Sequence, residues 1–119
     1  MPVQIFTTLD APSAILSGTS ADGINASGAI VGHYQVSATV SNGFLYSGGT
    51  YTILSNPLAD DTLAFGINAS GQIVGMFTDS HGDHGFLSSG GFSITLDDPL
   101  ALNNTQPQGI NDLGQVVGS

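Results

Sequence analysis

The sequence of 119 residues contains no lysine, no arginine, no glutamate and no cysteine. Its acidic side chains are nine aspartates, which give a formal net charge of −9 with neutral histidines. Without cationic side chains, binding to nucleic-acid phosphates or to anionic membranes has no electrostatic basis. Without cysteine there is no disulfide framework and no thiol chemistry. Charged residues make up 8% of the chain, against roughly 25% in an average globular domain, so small polar side chains and backbone must cover the surface.

Long apolar runs are also missing. None approaches the roughly 20 residues that a membrane-spanning helix needs, so we predict no membrane insertion. The opening MPVQIFTTLD lacks the basic start and apolar segment of a signal peptide, and no export signal is visible in this chain. A surface rich in Gly, Ser, Thr and Asn fits a secreted bacterial protein. We therefore expect an extracellular or cell-surface location.

The sequence does contain one phrase written three times with a spacing of 43 residues. The copies are GINASGAIVG at 23–32, GINASGQIVG at 66–75 and GINDLGQVVG at 109–118. Two further phrases recur: GFLYSGG at 43–49 with GFLSSGG at 85–91, and TYTIL at 50–54 with FSITLDDP at 92–99 and IFTTLDAP at 5–12. Such a period is typical of propellers and solenoids. We divide the single domain, 1–119, into a partial unit 3–22, units 23–65 and 66–108, and a partial unit 109–119.

Each period is predicted to form four antiparallel β-strands. The apolar runs are short, rich in β-branched and aromatic residues, and bounded by Gly, Asn, Ser and Pro. No run keeps a helical period, so we predict no substantial helix. Around the second copy of the repeated phrase, the strands are placed at about 62–67, 72–78, 85–88 and 92–97. Asn at the first and Gly at the fourth position of a loop favour a type I turn followed by a left-handed glycine. This assigns structural turns to Asn25, Gly28, Asn68, Gly71, Asn111 and Gly114.

Strand counting predicts an incomplete last unit. Short hairpins within each unit, with longer connectors at 11–19, 55–61 and 97–106, are typical of propeller blades. The chain then holds eleven strands where three full units need twelve, and the missing one is a third strand. Fewer than three full units cannot close a propeller ring, and open edges invite pairing with another chain. We expect an all-β fold of propeller-like blades completed by homo-oligomerisation, as a ring or a filament.

The repeated phrases resemble the bacterial HAF-type extracellular repeat. The resemblance rests on GIN-x-x-G-x-IVG followed by GFLYSGG and by a Thr- and Asp-rich strand ending in LDDP, and it covers essentially the whole chain. It implies a secreted or surface protein with a β-propeller-like repeat. It implies no general enzymatic activity and no transferable ligand-binding residues. The chain departs from the pattern by lacking the third strand of the last copy.

One segment has the composition of a metal site. TDSHGDH at 78–84 places Asp79, His81, Asp83 and His84 close together. Carboxylates would suit Ca²⁺, whereas the histidines would favour a transition metal such as Zn²⁺. The alternative is a polar hairpin loop in which Asp79 caps the turn. The corresponding segment of the first unit, QVSATVSN at 35–42, has no histidine and no carboxylate, which favours the hairpin and argues against a required cofactor.

No catalytic residue is predicted. Adjacent carboxylates at Asp97 and Asp98 precede a proline, where turn chemistry favours aspartate, and no GxSxG element is present. Tyr46 and Tyr51 flank a Ser-Gly-Gly turn, from which their rings could stack on a sugar. We therefore predict a non-enzymatic repeat protein that self-assembles by β-strand pairing and serves a structural or interaction role. The alternative is a carbohydrate-binding, lectin-like propeller with a glycan as partner.

Overall fold

The computed structural model describes residues 18–55, 61–89, 92–97 and 105–119. Regular structure in these residues consists of ten β-strands and no helix, so the all-β prediction is confirmed for them. The strands are β1 Thr19–Ile24, β2 Ile30–Gln35, β3 Ser41–Ser47, β4 Thr50–Leu54, β5 Asp61–Ile67, β6 Ile73–Asp79, β7 Gly82–Ser89, β8 Phe92–Leu96, β9 Pro107–Ile110 and β10 Val116–Gly118. A helix able to span a bilayer is absent from the described part of the chain.

The strands form antiparallel sheets in which strand order follows the chain. Strands β1–β4 make one four-stranded sheet, β5–β8 make a second, and β9 and β10 make a two-stranded hairpin. We call these the first, second and third units. The predicted four antiparallel strands are present in both complete units. Each unit begins a few residues before the glycine of its GIN phrase. This phrase therefore spans the end of the first strand, the turn after it and the start of the second strand.

Strand boundaries in the second unit differ from prediction by more than one residue in one place. Strand β7 begins at Gly82, three residues before the predicted start, because Asp79 pairs directly with Gly82 across a two-residue turn. The predicted N-terminal strand within 5–12 and most of the connectors at 11–19, 55–61 and 97–106 lie outside the described residues. The three sheets do not close on one another within the described residues, so propeller-like closure stays a prediction.

Successive units pack against each other. Strand β5 lies against β1, β2 and β3 of the first unit, and β9 lies against β5 and β6 of the second. The main group of buried apolar side chains comprises Ala29, Val31, Ala64, Ile67, Ile73, Phe77 and Phe86. Because this group mixes residues of two sheets, each unit buries its apolar face against its neighbour, which is the packing expected of a repeat protein. A smaller core within the first unit surrounds Tyr34 and Phe44.

The glycine that ends each repeated phrase is explained by strand packing. A Cβ added at Gly75 would lie far inside van der Waals contact with the carbonyl oxygen of Leu63 and 2.8 Å from the ring of Phe86. At Gly32 and Gly118 a Cβ would likewise meet backbone atoms of the opposite strand. A side chain at any of these three positions would therefore separate the first two strands of its unit.

Candidate functional site

The asparagine of each GIN phrase closes its own turn. At the second copy, Asn68 Oδ1 accepts a hydrogen bond from the Gln72 N–H at 2.9 Å. The Gly71 N–H donates to the Asn68 carbonyl oxygen at 3.0 Å. Gly71 has φ of 81°, in the left-handed region that glycine enters at little cost. Asn25 and Asn111 make the same side-chain and backbone bonds in their own turns.

The same three asparagines also join the units to one another. Asn25 Nδ2 donates to the Asn68 carbonyl oxygen at 3.0 Å. Asn68 Nδ2 donates to the Asn111 carbonyl oxygen, also at 3.0 Å. A further bond across the second step runs from the Ala69 N–H to Asp112 Oδ1 at 2.8 Å. We call the series Asn25, Asn68 and Asn111 the asparagine ladder, because each step repeats one bond across 43 residues.

A column of glycines lets the backbones of successive units approach beside this ladder. A Cβ at Gly23 would lie 3.0 Å from the Phe65 carbonyl oxygen and 3.2 Å from Gly66 Cα. A Cβ at Gly66 would lie 3.2 Å from Gly109 Cα. At Gly109 it would meet a single described heavy atom, the Val117 Cγ2 of the same unit, at 3.5 Å. Gly23 and Gly66 therefore each lie close to the backbone of the following unit, whereas Gly109 makes no such approach among the described residues.

The two ends of the stack expose side chains that are buried inside it. Val31 and Val74 are fully buried, whereas Val117, at the same position of the third copy, is 68% exposed. Ile67 is 7% exposed, whereas Ile24, its counterpart in the first copy, is 66% exposed. Equivalent residues thus differ in exposure between the ends of the stack and its interior.

The predicted metal segment forms a hydrogen-bonded hairpin tip. His84 Nε2 lies 3.1 Å from Asp79 Oδ1, and His84 Nδ1 lies 2.9 Å from Asp97 Oδ2. Asp79 Oδ1 also accepts the His81 N–H at 2.7 Å, so it caps the turn. Asp83 instead accepts the hydroxyl of the neighbouring Thr78. The structure therefore brings Asp79 and His84 together and directs Asp83 elsewhere. In the described ranges, no three His or Asp side chains are placed to hold a metal ion.

These contacts shift the proton affinity of two groups. The hydrogen bond to Asp97, reinforced by that to Asp79, raises the pKa of His84 above its ordinary value of 6.5. The backbone hydrogen bond from His81, reinforced by His84, lowers the pKa of Asp79 below its ordinary value of 3.8. His84 also stacks on Phe77 with ring centroids 5.1 Å apart. With no lysine or arginine in the chain, such His–Asp pairs are the side-chain ion pairs available to it.

The two tyrosines considered for sugar binding pack on each other. Tyr46 and Tyr51 are paired across β3 and β4, with ring centroids 4.7 Å apart and planes tilted by 52°. Tyr51 also meets Phe44 edge to face at 5.5 Å. Each ring therefore covers part of the other, and this arrangement favours a packing role over a flat platform for a sugar.

A cleft of about 490 Å³ separates the ends of the first and second sheets. Its described lining includes Ile53, Ile94 and Phe77 together with the hydroxyls of Ser88 and Thr95. No aspartate or histidine is among the described residues that line it. None of the site residues predicted from sequence faces this cleft.

Two functional relationships escaped the sequence reasoning. The sequence assigns the asparagines to turns and does not by itself predict their bonds between units, although their identical spacing of 43 residues is a signal. The contact between His84 and Asp97 was also missed. It follows from hairpin register, since Gly85 pairs with Leu96 and the next pair outward is His84 with Asp97. Compared with protein-family models, with curated proteins and with solved structures, the chain has no match.

Proposed function

We propose that this chain is a non-enzymatic extracellular or surface repeat module that self-assembles by β-strand pairing and serves a structural or interaction role. The observation that carries this proposal is the unequal number of strands per unit. The first two units have four strands each, whereas the third has two in the described residues. Among the described residues no strand pairs with the outer edge of β10, where the earlier units place their third strand. We propose that a strand from a second copy pairs there.

The chemistry of this edge supports the proposal. Exposed edge strands present unpaired N–H and C=O groups, and proteins usually protect them with lysine, proline or a bulge. Strand β10, Val116–Gly118, carries neither a charge nor a proline, and all three of its residues are exposed. The hairpin does contain a bulge, but its extra residue, Gln108, lies on β9 and not on the outer strand. The chain contains no lysine that could protect this edge from pairing. Pairing with a second copy would satisfy the edge and bury the two valines.

The remaining features fit a structural role better than catalysis. The His84 cluster lies at an exposed hairpin tip, and the described lining of the cleft has no acid or base. The resemblance of the repeated phrases to HAF-type extracellular repeats supports placement outside the cell. The mutual packing of Tyr46 and Tyr51 gives the carbohydrate-binding alternative no specific support.

The direct test is the mass of the native particle. The monomer mass is 12.0 kDa, so light scattering after gel filtration, together with native mass spectrometry, resolves each added copy. Assembly predicts dimers or larger species whose share rises with protein concentration. A folded protein that stays monomeric across the accessible concentration range, with a β-type circular dichroism spectrum, would refute the proposal.

A further inference from the structure

We infer that copies of this chain bind one another head to tail, with the outward surface of the third unit stacking on the outward surface of the first unit of a second copy. This inference rests on the proposed self-assembly and specifies that the stacked faces, and not the β10 edge by itself, hold two copies together. We call Ile24 and the Asn25 carbonyl the head face. We call Gly109, Asn111 and Val117 the tail face.

The interfaces inside the chain show how such surfaces fit. The first unit presents Gly23, Val31 and the Asn25 side-chain amide to the second unit, and Val31 is fully buried. The second unit contributes Ile67 and the Asn68 carbonyl oxygen to this interface, and Ile67 is 7% exposed. On the tail face, Gly109, Asn111 and Val117 occupy the positions that Gly23, Asn25 and Val31 occupy in the first copy. On the head face, Ile24 and the Asn25 carbonyl occupy the positions of Ile67 and the Asn68 carbonyl in the second copy. A new contact would thus continue an interface that the chain already makes twice.

The apolar side chains on the two faces match in this register. Val117 on the tail face and Ile24 on the head face are more than half exposed in the single chain. Their counterparts Val31 and Ile67 belong to one buried group between the first and second units. Stacking a second copy would place Val117 and Ile24 in the same relation, and both would leave water.

The asparagine ladder is also left incomplete at both ends in a complementary way. The Asn68 amide uses one N–H for Gln72 Oε1 at 2.7 Å and the other for the Asn111 carbonyl. The Asn111 amide donates one hydrogen bond, to Gln115 Oε1 at 2.8 Å. Its second N–H meets no acceptor among the described residues. In the described residues the Asn25 carbonyl oxygen accepts a hydrogen bond only from the Gly28 N–H. The Asn68 carbonyl oxygen accepts two, from the Gly71 N–H and from the Asn25 amide. The Asn111 amide of one copy would therefore donate to the Asn25 carbonyl of the next.

Charge and backbone clearance are compatible with this contact. Neither Ile24 nor Val117 is charged, and Gly109 leaves room for the close backbone approach that Gly66 makes to Gly109 inside the chain. The head and tail faces are different surfaces, so the interface is heterologous. Such an interface generates a closed ring or an open filament, whereas a two-fold dimer would pair one surface with itself.

The test uses two single substitutions and their mixture. Ile24→Asp damages the head face and Val117→Asp damages the tail face. Because both side chains are mostly exposed, each variant should keep the urea midpoint of monomer unfolding. Head-to-tail stacking predicts that each variant alone is monomeric under conditions in which the unaltered chain assembles. An equimolar mixture should form a dimer and nothing larger, since it contains one intact head face and one intact tail face for each pair.

Leu113→Asp is the matched control. Leu113 is 85% exposed and lies in the turn between Asn111 and Gly114. Its counterparts Ser27 and Ser70 are also exposed, although another unit follows each of them, so this position is not covered by stacking. The control should assemble like the unaltered chain. If the unaltered chain is monomeric, the proposed function itself fails. If it assembles and either face variant still assembles, or if the mixture yields no dimer, the head-to-tail inference is overturned.

Discussion

The side-chain amide of Asn25 donates a hydrogen bond to the carbonyl oxygen of Asn68, 3.0 Å away in space and 43 residues further along the chain. Asn68 makes the same bond to Asn111. An asparagine side chain carries an acceptor and two donors, so its oxygen can close the local turn while its nitrogen holds the following unit. Aspartate could perform the first task and not the second. The recurrence of asparagine therefore has two physical reasons at one position.

Substituting Asn68→Asp separates these two tasks. The carboxylate keeps the acceptor for the Gln72 N–H and loses both donors, while its charge faces the Asn111 carbonyl and the Gln72 side-chain oxygen. Asn68 is 2% exposed, so water cannot compensate. We expect the free energy of unfolding, measured by urea titration at neutral pH, to fall by about 2 kcal/mol or more.

Asn111→Asp is the matched control for this substitution. Its turn bonds are the same, but Asn111 is exposed and its amide reaches only Gln115 in the described residues. Its loss measured on the monomer should stay below about 1 kcal/mol. Equal losses at Asn68 and Asn111 would show that the turn alone explains the asparagines and that the bonds between units add no stability.

The glycine column gives a second pair of matched variants. A methyl group at Gly66 would press on Gly109 Cα at 3.2 Å, so Gly66→Ala should destabilise the fold by about 1–3 kcal/mol. The same change at Gly109 meets no atom of the described residues closer than 3.5 Å and should alter monomer stability by less than about 0.5 kcal/mol. Thermal unfolding of dilute protein measures both. A larger loss at Gly109 than at Gly66 would contradict the packing described for the units.

Substitutions at the turn glycine Gly71 are expected to change stability through the backbone conformation alone. It has φ of 81°, and a Cβ there would meet no atom of the described residues within 4 Å. Gly71→Ala should therefore cost about 1–2 kcal/mol through the left-handed backbone, with no clash involved. Gly71→Asn should cost less, because asparagine tolerates this conformation better than alanine. Urea midpoints of the two variants check this, and an alanine variant as stable as the parent would show that the turn can relax.

The sequence predicted the local elements well because their signals are local. Alternation of β-branched residues with Asn-x-x-Gly loops placed the strands of the second unit within a few residues of those observed. The third strand began earlier than predicted because the Asp79–Gly82 pair closes a two-residue turn, and a polar loop sequence does not show how far its ladder extends. The contact of His84 with Asp97 was available from hairpin register once that hairpin was drawn.

The relation between units was beyond local reasoning. Val74 and Val117 occupy the same position of nearly the same phrase, yet one is fully buried and the other is 68% exposed. The phrase itself does not distinguish them, because exposure depends on packing against residues outside the phrase. The roles of the asparagines between units likewise required knowing that each turn lies beside the turn of the next copy.

The His84 cluster predicts how stability depends on pH. Because Asp97 and Asp79 raise the pKa of His84 in the folded state, its stabilising contribution is complete below the unfolded pKa of about 6.5 and is lost as pH rises through the folded value. Because the pKa of Asp79 is lowered, its contribution is present above the unfolded value of about 3.9 and is lost as pH falls through the folded value. The two contributions should coexist between these limits.

Urea titrations across pH test this with two histidine variants. We expect the free energy of unfolding of the parent chain to decrease as pH rises above about 6.5, and His84→Asn to remove part of that decrease. Asparagine is the residue at the equivalent position 42 of the first unit, so the hairpin should accept it. His81→Asn should retain the decrease, because the His81 ring is largely exposed and its nitrogen lies 3.8 Å from Asp79. If His84→Asn and the parent chain lose stability in parallel over this range, the ion pairs of His84 do not contribute to folding.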